Sequence, residues 1–299
     1  MALKAEGLLN SIANPELPDS SQFRQEMAVP VIDFSKLQGE ERAATMARID
    51  NACEQWGFFQ LLNHGIPLEL LDRVKRVCDK CFKMSREEGF KDSRPVRLLK
   101  ELIDGGETDK RLNDIDWEDV FFLQDDNQWP STPLDFKETM TEYRAELKKL
   151  AEKVMEVMDE NLGLEKGYIK MAFSGGSEGN YRPFLGTKDD RVGGLQVLKE
   201  GRWFDVRPLA GAIVINTGDQ IEVLSNGRYQ SAWHRVVASG NGNRRSVASF
   251  YNPALKAVIK PPEGPAAEYP SFLFGDYMAV YAKQKFMAKE PRFLAAAAM

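Results

Sequence analysis

The sequence predicts an α+β protein in which a helix-rich N-terminal part is followed by a β-rich C-terminal part. In a stretch from about residue 136 to residue 162, apolar residues recur at helical spacing, which predicts one long amphipathic helix. Beyond residue 172 the pattern changes to short apolar runs at strand period, separated by Gly-containing turns. Many short strands at close spacing predict an antiparallel barrel or sandwich.

The N-terminal part is predicted to alternate strands and helices. Residues 1–26 are polar, contain Pro15 and Pro18, and predict a disordered extension. Strand, helix, strand and helix are then predicted in that order, in the sequences VPVIDF, GEERAATMARIDNACEQWG, FFQLLNHGI and PLELLDRVKRVCDKCF. Gly57 is expected to close the first helix and Pro67 to begin the second. The charged region 91–133 is expected to be irregular.

The C-terminal part carries five apolar runs that predict strands. These runs are GLQVL, RWFDV, AIVIN, SAWHRVV and SVASFY, with turns at KEG, TGD and SNG. The tail GDYMAVYAKQKFMAKEPRF returns to a helical pattern. We therefore divide the chain into an extension (1–26), a helix-rich domain (27–172), a β-rich domain (173–293) and a tail (294–299).

Composition excludes several classes of function. The net charge of −5 and the pI of about 5.4, without a Lys/Arg run, argue against nucleic acid as a partner. The longest apolar run, LAGAIVI, is far shorter than the ~18 residues of a membrane span. The N-terminus lacks the apolar core of a secretory signal, so we expect a cytoplasmic protein that binds no membrane.

The three cysteines are expected to be structural. An odd number in 299 residues does not make a disulfide framework. Cys78 and Cys81 form a C-x-x-C pair, but they lie inside a predicted helix, and the chain has only two histidines to complete a zinc site. We expect these side chains to face the core.

One region has the chemistry of half a metal site. His234 lies in an apolar–polar strand pattern, and Arg244 and Ser246 are two residues apart on the next predicted strand, hence on one face. An imidazole can bind iron, and a guanidinium with a hydroxyl can bind a carboxylate. A facial Fe(II) site needs a second His and a carboxylate, usually as His-x-Asp or His-x-Glu. His64 and His234 are the two histidines, and neither begins such a pair. Spacing alone leaves open a hydrogen-bonded core histidine and a surface arginine.

The chain contains seven long motifs: VPVIDFSKL, CEQWGFFQLLNHGIP, DWEDVFFL, GGLQVLKEGRWFDV, AIVINTGDQIEVLSNGRYQSAWHRV, RRSVASFYNP and KFMAKEPRF. Together these motifs resemble the plant 1-aminocyclopropane-1-carboxylate (ACC) oxidases. The resemblance covers residues 27–293. It implies membership in the Fe(II)- and 2-oxoglutarate-dependent dioxygenase superfamily, with a double-stranded β-helix (jelly-roll) core surrounded by helices. It also implies an oxidoreductase of ethylene biosynthesis that oxidises ACC with O2, uses Fe(II) and ascorbate, and is activated by bicarbonate or CO2.

The resemblance also implies roles for individual residues. His234 resembles an iron ligand, and Arg244 with Ser246 resembles a pair that binds a carboxylate of the substrate. Lys289 and Arg292 resemble C-terminal basic residues tied to bicarbonate activation and catalysis. His64 matches a family position that is not a ligand, so we expect a structural role.

The chain departs from the family between Lys188 and Asp189. The family has a segment there that includes the His-x-Asp iron ligands, and roughly thirty residues, enough for two or three strands, are missing here. We therefore expect a truncated jelly roll, poor solubility, and weak or absent iron binding and ethylene formation. Asp189 and Asp190 are the nearest replacement carboxylates in sequence.

Three interpretations follow from the sequence. In the first, the chain is an incomplete member of the ACC oxidase family. It then results from a skipped exon or a gene-model error, or it is a true pseudoenzyme. Alternatively, it is a catalytically dead binding or regulatory protein that keeps Arg244 and Ser246. The third interpretation is another oxygenase of the superfamily, such as a flavonoid or gibberellin oxidase, although AKEPRF and DWEDVFFL favour ACC oxidase.

Overall fold

The structure is a computed structural model, and it describes residues 28–83, 129–175, 193–237, 246–264, 266–284 and 290–299. The predicted extension, most of the region 91–133 and the Lys188–Asp189 junction lie outside these ranges. The seven α-helices are α1 (Arg42–Gln55), α2 (Leu68–Phe82), α3 (Phe136–Asn161), α4 (Tyr168–Ser174), α5 (Asp219–Leu224), α6 (Phe274–Lys283) and α7 (Glu290–Ala297), counted in the described ranges only. The strands there are β1 (Val31–Asp33), β2 (Phe58–Leu62), β3 (Leu195–Lys199), β4 (Arg202–Asp205), β5 (Ile213–Asn216), β6 (His234–Val236), β7 (Val258–Ile259) and β8 (Phe272–Leu273).

The first sheet joins the two halves of the chain. Its order is β1-β2-β5, with β1 parallel to β2 and β2 antiparallel to β5. The central strand, β2, is buried along four of its five residues, which agrees with its sequence FFQLL, apolar at every position except Gln60. Because β5 comes from the C-terminal part, the predicted domain division at residue 172 crosses this sheet, and that division stays a prediction.

The second sheet positions the candidate metal ligand. Its order is β4-β3-β6, and both pairs are antiparallel. Val197 of β3 lies opposite Phe204 on one side and opposite His234 on the other. Since residues directly opposite share a face, His234 lies on the same face as the fully buried Val197.

The principal core confirms the predicted helix faces. The predicted apolar stripe of α3 is buried, as are Cys53, Cys78 and Cys81. Apolar side chains from α1, α2 and α3 share one cluster with residues from α5, β8 and α6. The N- and C-terminal parts therefore bury apolar surface against each other, which is the dominant stabilising term in folding.

Two local predictions were wrong. Asp219, expected to be part of the TGD turn, is instead the first residue of α5, which has the sequence DQIEVL. The run SVASFY, expected to be a strand, has no strand assignment over residues 246–251. A strand is defined by a ladder with a neighbour, and no described residue forms that ladder here, so strand propensity alone does not decide its structure.

Gly57 provides the first testable prediction. Its φ is +60°, and a Cβ there would overlap the Gln230 carbonyl oxygen. We expect Gly57→Ala to destabilise the protein by at least 2 kcal/mol, roughly, since it combines left-handed strain with a backbone clash. Gly39→Ala is the matched control, because nothing lies within 4 Å of the point where its Cβ would stand and its φ of −168° is extended. Urea unfolding of both variants measures the difference, and equal losses would contradict the prediction.

Candidate functional site

His234 begins β6 and is exposed. Its Nδ1 lies 3.2 Å from the Ala232 carbonyl oxygen. Its ring packs edge-on against Phe58, with centroids 5.2 Å apart. The imidazole is thus oriented by a local backbone contact and an aromatic ring, and the Nε2 edge is the side available to a ligand.

The described residues do not provide the ligand set of a facial Fe(II) site. Within them, no group of three or more His, Cys, Asp or Glu side chains could hold a metal ion. His64 cannot serve as the second imidazole in this arrangement, because both ring nitrogens already have partners. Its Nε2 lies 2.9 Å from the Gly211 carbonyl oxygen, and its Nδ1 accepts the Ile66 amide at 3.1 Å. Iron therefore does not fit this donor set, and the structural role expected for His64 has a geometric basis.

His64 predicts a dependence of stability on pH. Burial lowers the pKa of His64 below its usual value, and the hydrogen bond to Gly211 only partly opposes that shift. The unfolded chain therefore binds a proton at a higher pH than the folded protein does. Stability should be complete above the unfolded pKa of about 6.5 and should decrease as the pH falls through that value. Melting temperatures at pH 7.5 and 5.5 measure this loss, which should be smaller in His64→Gln. An equal loss in both proteins would contradict it.

The other predicted site residues are only partly within the described chain. Arg244, Lys289, Asp189 and Asp190 lie outside it, so their predicted roles stay predictions. Ser246 is half-buried and directly follows an undescribed stretch. Arg292 is in α7 and is only 4% exposed.

Arg292 belongs to a buried polar network. Its Nη1 lies 3.2 Å from Asp219 Oδ2 and 3.3 Å from the Tyr277 hydroxyl. The Tyr277 hydroxyl donates to the same Asp219 oxygen at 2.5 Å. Burial, together with the charge of Asp219, raises the pKa of Tyr277, which keeps the hydroxyl protonated as a donor. A direct catalytic contact by Arg292 remains a prediction, while its ion pair ties α7 to α5.

The same network reaches the segment that precedes His234. Ser231 Oγ donates to Asp219 Oδ1 at 2.6 Å, and its backbone N–H donates to Glu222 Oε2 at 2.6 Å. Glu222 also accepts the Tyr269 hydroxyl at 3.0 Å. The network thus connects Arg292 and the approach to His234 through two carboxylates on one turn of helix.

The sequence interpretation missed Asp219 and Glu222. Their spacing of three residues, directly after Gly218, was the available signal, since i and i+3 share a helix face. The turn-like sequence Thr217-Gly218-Asp219 includes the first of these two carboxylates, and it concealed the helical spacing.

Among the described helices, none combines the length and apolar composition that crossing a bilayer requires.

Comparisons with known families place both parts of the chain in oxygenases. Residues 29–143 match the family described as non-haem dioxygenase in morphine synthesis N-terminal. Residues 184–253 match the 2OG-Fe(II) oxygenase superfamily. The second range includes His234, Arg244 and Ser246.

Curated relatives are named as one enzyme. A 1-aminocyclopropane-1-carboxylate oxidase of Musa acuminata is 62% identical, with 91% of this chain and 100% of the relative covered. The 1-aminocyclopropane-1-carboxylate oxidase 5 of Arabidopsis thaliana is 58% identical, with coverages of 90% and 99%. The alignment with the Musa acuminata relative runs over 310 positions, more than the 299 residues of this chain. That relative therefore has residues that this chain lacks.

Solved structures support the fold. A structure described as JOX2 in complex with 2OG, Fe and JA has a TM-score of 0.68 and 31% identity, covering 85% of this chain and 84% of that one. A dioxygenase for auxin oxidation in rice has a TM-score of 0.65 at 23% identity, covering 91% and 99%, and shows the fold alone. The α+β fold of the jelly-roll oxygenases is thereby confirmed.

Proposed function

Since the chain belongs to the 1-aminocyclopropane-1-carboxylate oxidase family, we propose that it is an ethylene-biosynthesis oxidoreductase whose iron binding and turnover are impaired. The family membership also decides against another oxygenase of the superfamily, such as a flavonoid or gibberellin oxidase. The family reaction converts ACC and O2 to ethylene, cyanide and CO2, with ascorbate as reductant and bicarbonate or CO2 as activator. ACC, O2, Fe(II) and ascorbate are accordingly the substrates and cofactors proposed here, in the cytoplasm.

The observation that carries the proposed impairment is the incomplete ligand set around His234. One imidazole leaves most coordination positions to water, and a facial site normally has three protein ligands. The described residues hold no group of three suitable side chains, and His64 has both nitrogens engaged. The Musa acuminata relative has additional residues, in agreement with a missing segment between Lys188 and Asp189.

The remaining roles follow the family positions. Arg244 and Ser246 would bind the substrate carboxylate by charge-assisted hydrogen bonds. Lys289 would contribute positive charge near the C-terminus. For Arg292 we propose an indirect role, because its Nη1 is engaged with Asp219 and Tyr277 in a buried site. It would position α7 and, through Asp219 and Ser231, the start of β6.

The proposal is tested by anaerobic Fe(II) titration and by an ethylene assay with ACC, ascorbate and bicarbonate. The Musa acuminata relative, prepared in parallel, is the positive control. We expect affinity for Fe(II) at least tenfold weaker, about 1.4 kcal/mol, and ethylene near background. Stoichiometric iron and normal turnover would overturn the proposal.

One further experiment distinguishes the impaired enzyme from a binding protein without catalysis. Calorimetric titration of ACC in the presence of a chelator reports whether Arg244 and Ser246 bind the substrate without metal. Saturable binding that Arg244→Ala abolishes would favour a binding protein without catalysis. No heat would leave the impaired enzyme as the function.

A further inference from the structure

We propose that Thr217 and Glu222 are positioning residues for His234, because they hold the two ends of the peptide group between Gln230 and Ser231. Neither residue belongs to the set whose roles the family resemblance implies. The inference rests on the proposed function only in taking His234 as the metal ligand. The peptide group and the imidazole can be measured in the chain without metal, so the two proposals can fail separately.

Thr217 holds the carbonyl end of this peptide group. It directly follows β5 and is 2% exposed. Its backbone N–H donates to the Gly57 carbonyl oxygen at 2.9 Å, which fixes it against the start of β2. Its hydroxyl donates to the Gln230 carbonyl oxygen. Gly57 permits this contact, since a Cβ there would overlap the same carbonyl oxygen.

Glu222 holds the N–H end of the same peptide group. Its side chain is buried in α5, where Oε2 accepts the Ser231 amide at 2.6 Å and Oε1 accepts the Tyr269 hydroxyl at 3.0 Å. The carbonyl of Gln230 and the amide of Ser231 lie in one plane, because the bond between them is a peptide bond. Hydrogen bonds at both ends of the plane, one of them to a charged acceptor, therefore fix its rotation.

The fixed peptide group lies where it determines the direction of the His234 side chain. His234 follows Ser231 by three residues, and its ring packs edge-on against Phe58. Gly57 lies against the Gln230 carbonyl and precedes Phe58 directly. The start of β2 thus contacts both ends of the stretch 230–234, and rotation of the peptide group would shift the imidazole relative to Phe58.

Such a shift matters for turnover. A displacement on the order of 1 Å can lower a rate by about 100-fold, even when its origin is far from the chemistry. Thr217 and Glu222 touch neither substrate nor metal in this arrangement, and they act through the backbone that carries His234. A purely structural role would lower stability everywhere, whereas a positioning role changes Ser231 and His234 in particular.

The first test is hydrogen exchange of the metal-free chain with two matched variants of Thr217. Thr217→Val removes the hydroxyl and keeps a branched side chain, whereas Thr217→Ser keeps the hydroxyl. We expect the Ser231 amide to exchange at least tenfold faster in the valine variant and within about twofold of the parent in the serine variant. The control is the Ile169 amide, which donates to the buried carboxylate of Asp159 at 3.0 Å and should change by no more than about twofold.

The second test observes the imidazole directly. The chain has two histidines, so selective labelling of the rings gives two NMR signals. Phe58→Leu defines the position of the His234 signal when the aromatic contact is lost. We expect Thr217→Val to move the His234 signal towards that position and Thr217→Ser to leave it in place. The His64 signal should stay unchanged in both Thr217 variants and is the internal reference.

Several results would overturn the inference. In the parent chain, a backbone order parameter at Ser231 below about 0.6, in place of the ~0.85 of a rigid backbone, would show that the peptide group is not held. In Thr217→Val, equal acceleration at Ser231 and Ile169 would identify a general loss of stability. A His234 signal that stays at the parent position would reject positioning.

Glu222→Gln makes the same test from the N–H end and serves if Thr217→Val does not fold. The amide keeps the shape of the carboxylate and removes its charge, which weakens the hydrogen bond from Ser231. We expect faster exchange at Ser231 and a shift of the His234 signal in the same direction. Unchanged exchange and an unchanged signal in this variant would contradict the proposed role of Glu222.

Discussion

Ethylene formation is expected to rise from background by a factor on the order of a thousand or more when the missing segment of the Musa acuminata relative is inserted between Lys188 and Asp189. The insertion would return a second imidazole and a carboxylate, so that three protein ligands rather than His234 alone hold the metal. Chelation by three groups fixes the open positions, which orients substrate and O2 on one centre. Gas chromatography of ethylene and Fe(II) stoichiometry measure the change.

Two controls separate ligand repair from fold repair. The same insertion with its His and Asp changed to Ala restores strands without ligands, and it should remain inactive while gaining solubility. The intact insertion combined with His234→Ala should also be inactive. High activity in either control, or in the unchanged chain, would refute the ligand argument.

The second large effect is expected at the buried ion pair between α5 and α7. Arg292 and Asp219 have side-chain exposures of 5% and 12% and approach to 3.2 Å. Asp219→Ala would leave the arginine buried without its carboxylate and would remove the acceptor of Tyr277 and Ser231. We expect a loss of about 3–5 kcal/mol in the free energy of unfolding, measured by urea denaturation.

A double variant and a surface control define the cause. Asp219→Ala with Arg292→Met removes both charges and should recover part of the loss, because no unpaired charge remains buried. Glu41→Ala breaks an exposed ion pair, in which the side chain of Lys36 is 39% exposed and that of Glu41 is 62% exposed. We expect this variant to lower the free energy of unfolding by no more than about 0.5 kcal/mol. Equal losses in Asp219→Ala and Glu41→Ala would contradict a structural role for the buried pair.

Local patterns predicted those elements whose structure depends on their own residues. The helix of residues 136–161 was visible in its apolar stripe, and its terminus was placed within one residue. Gly57 and Pro67 bounded helices as expected, since φ > 0 and a missing N–H are properties of single residues. Strand propensity was less reliable, because a strand forms only where a neighbouring strand can pair with it. RWFDV pairs with β3, whereas SVASFY pairs with no strand among the described residues.

The candidate site likewise has features that the sequence predicted and features that it did not. His234 was identified from residue type and its position in a strand, and the absence of a His-x-Asp pair was readable directly from 299 letters. The sequence did not predict the burial of Arg292, its pairing with Asp219, or the contacts of Ser231 with both carboxylates of α5. The partners are far apart along the chain: Arg292 and Asp219 are 73 positions apart, and Ser231 and Asp219 are 12 positions apart.

By itself, the sequence determined the family, the mixed helix and strand class, and the shortage of iron ligands, because each depends on which residues are present and in what order. Only the tertiary structure decided that both nitrogens of His64 are occupied and that Arg292 is buried against Asp219. These are properties of distance and burial, and they arise when chain segments far apart in sequence exclude water together.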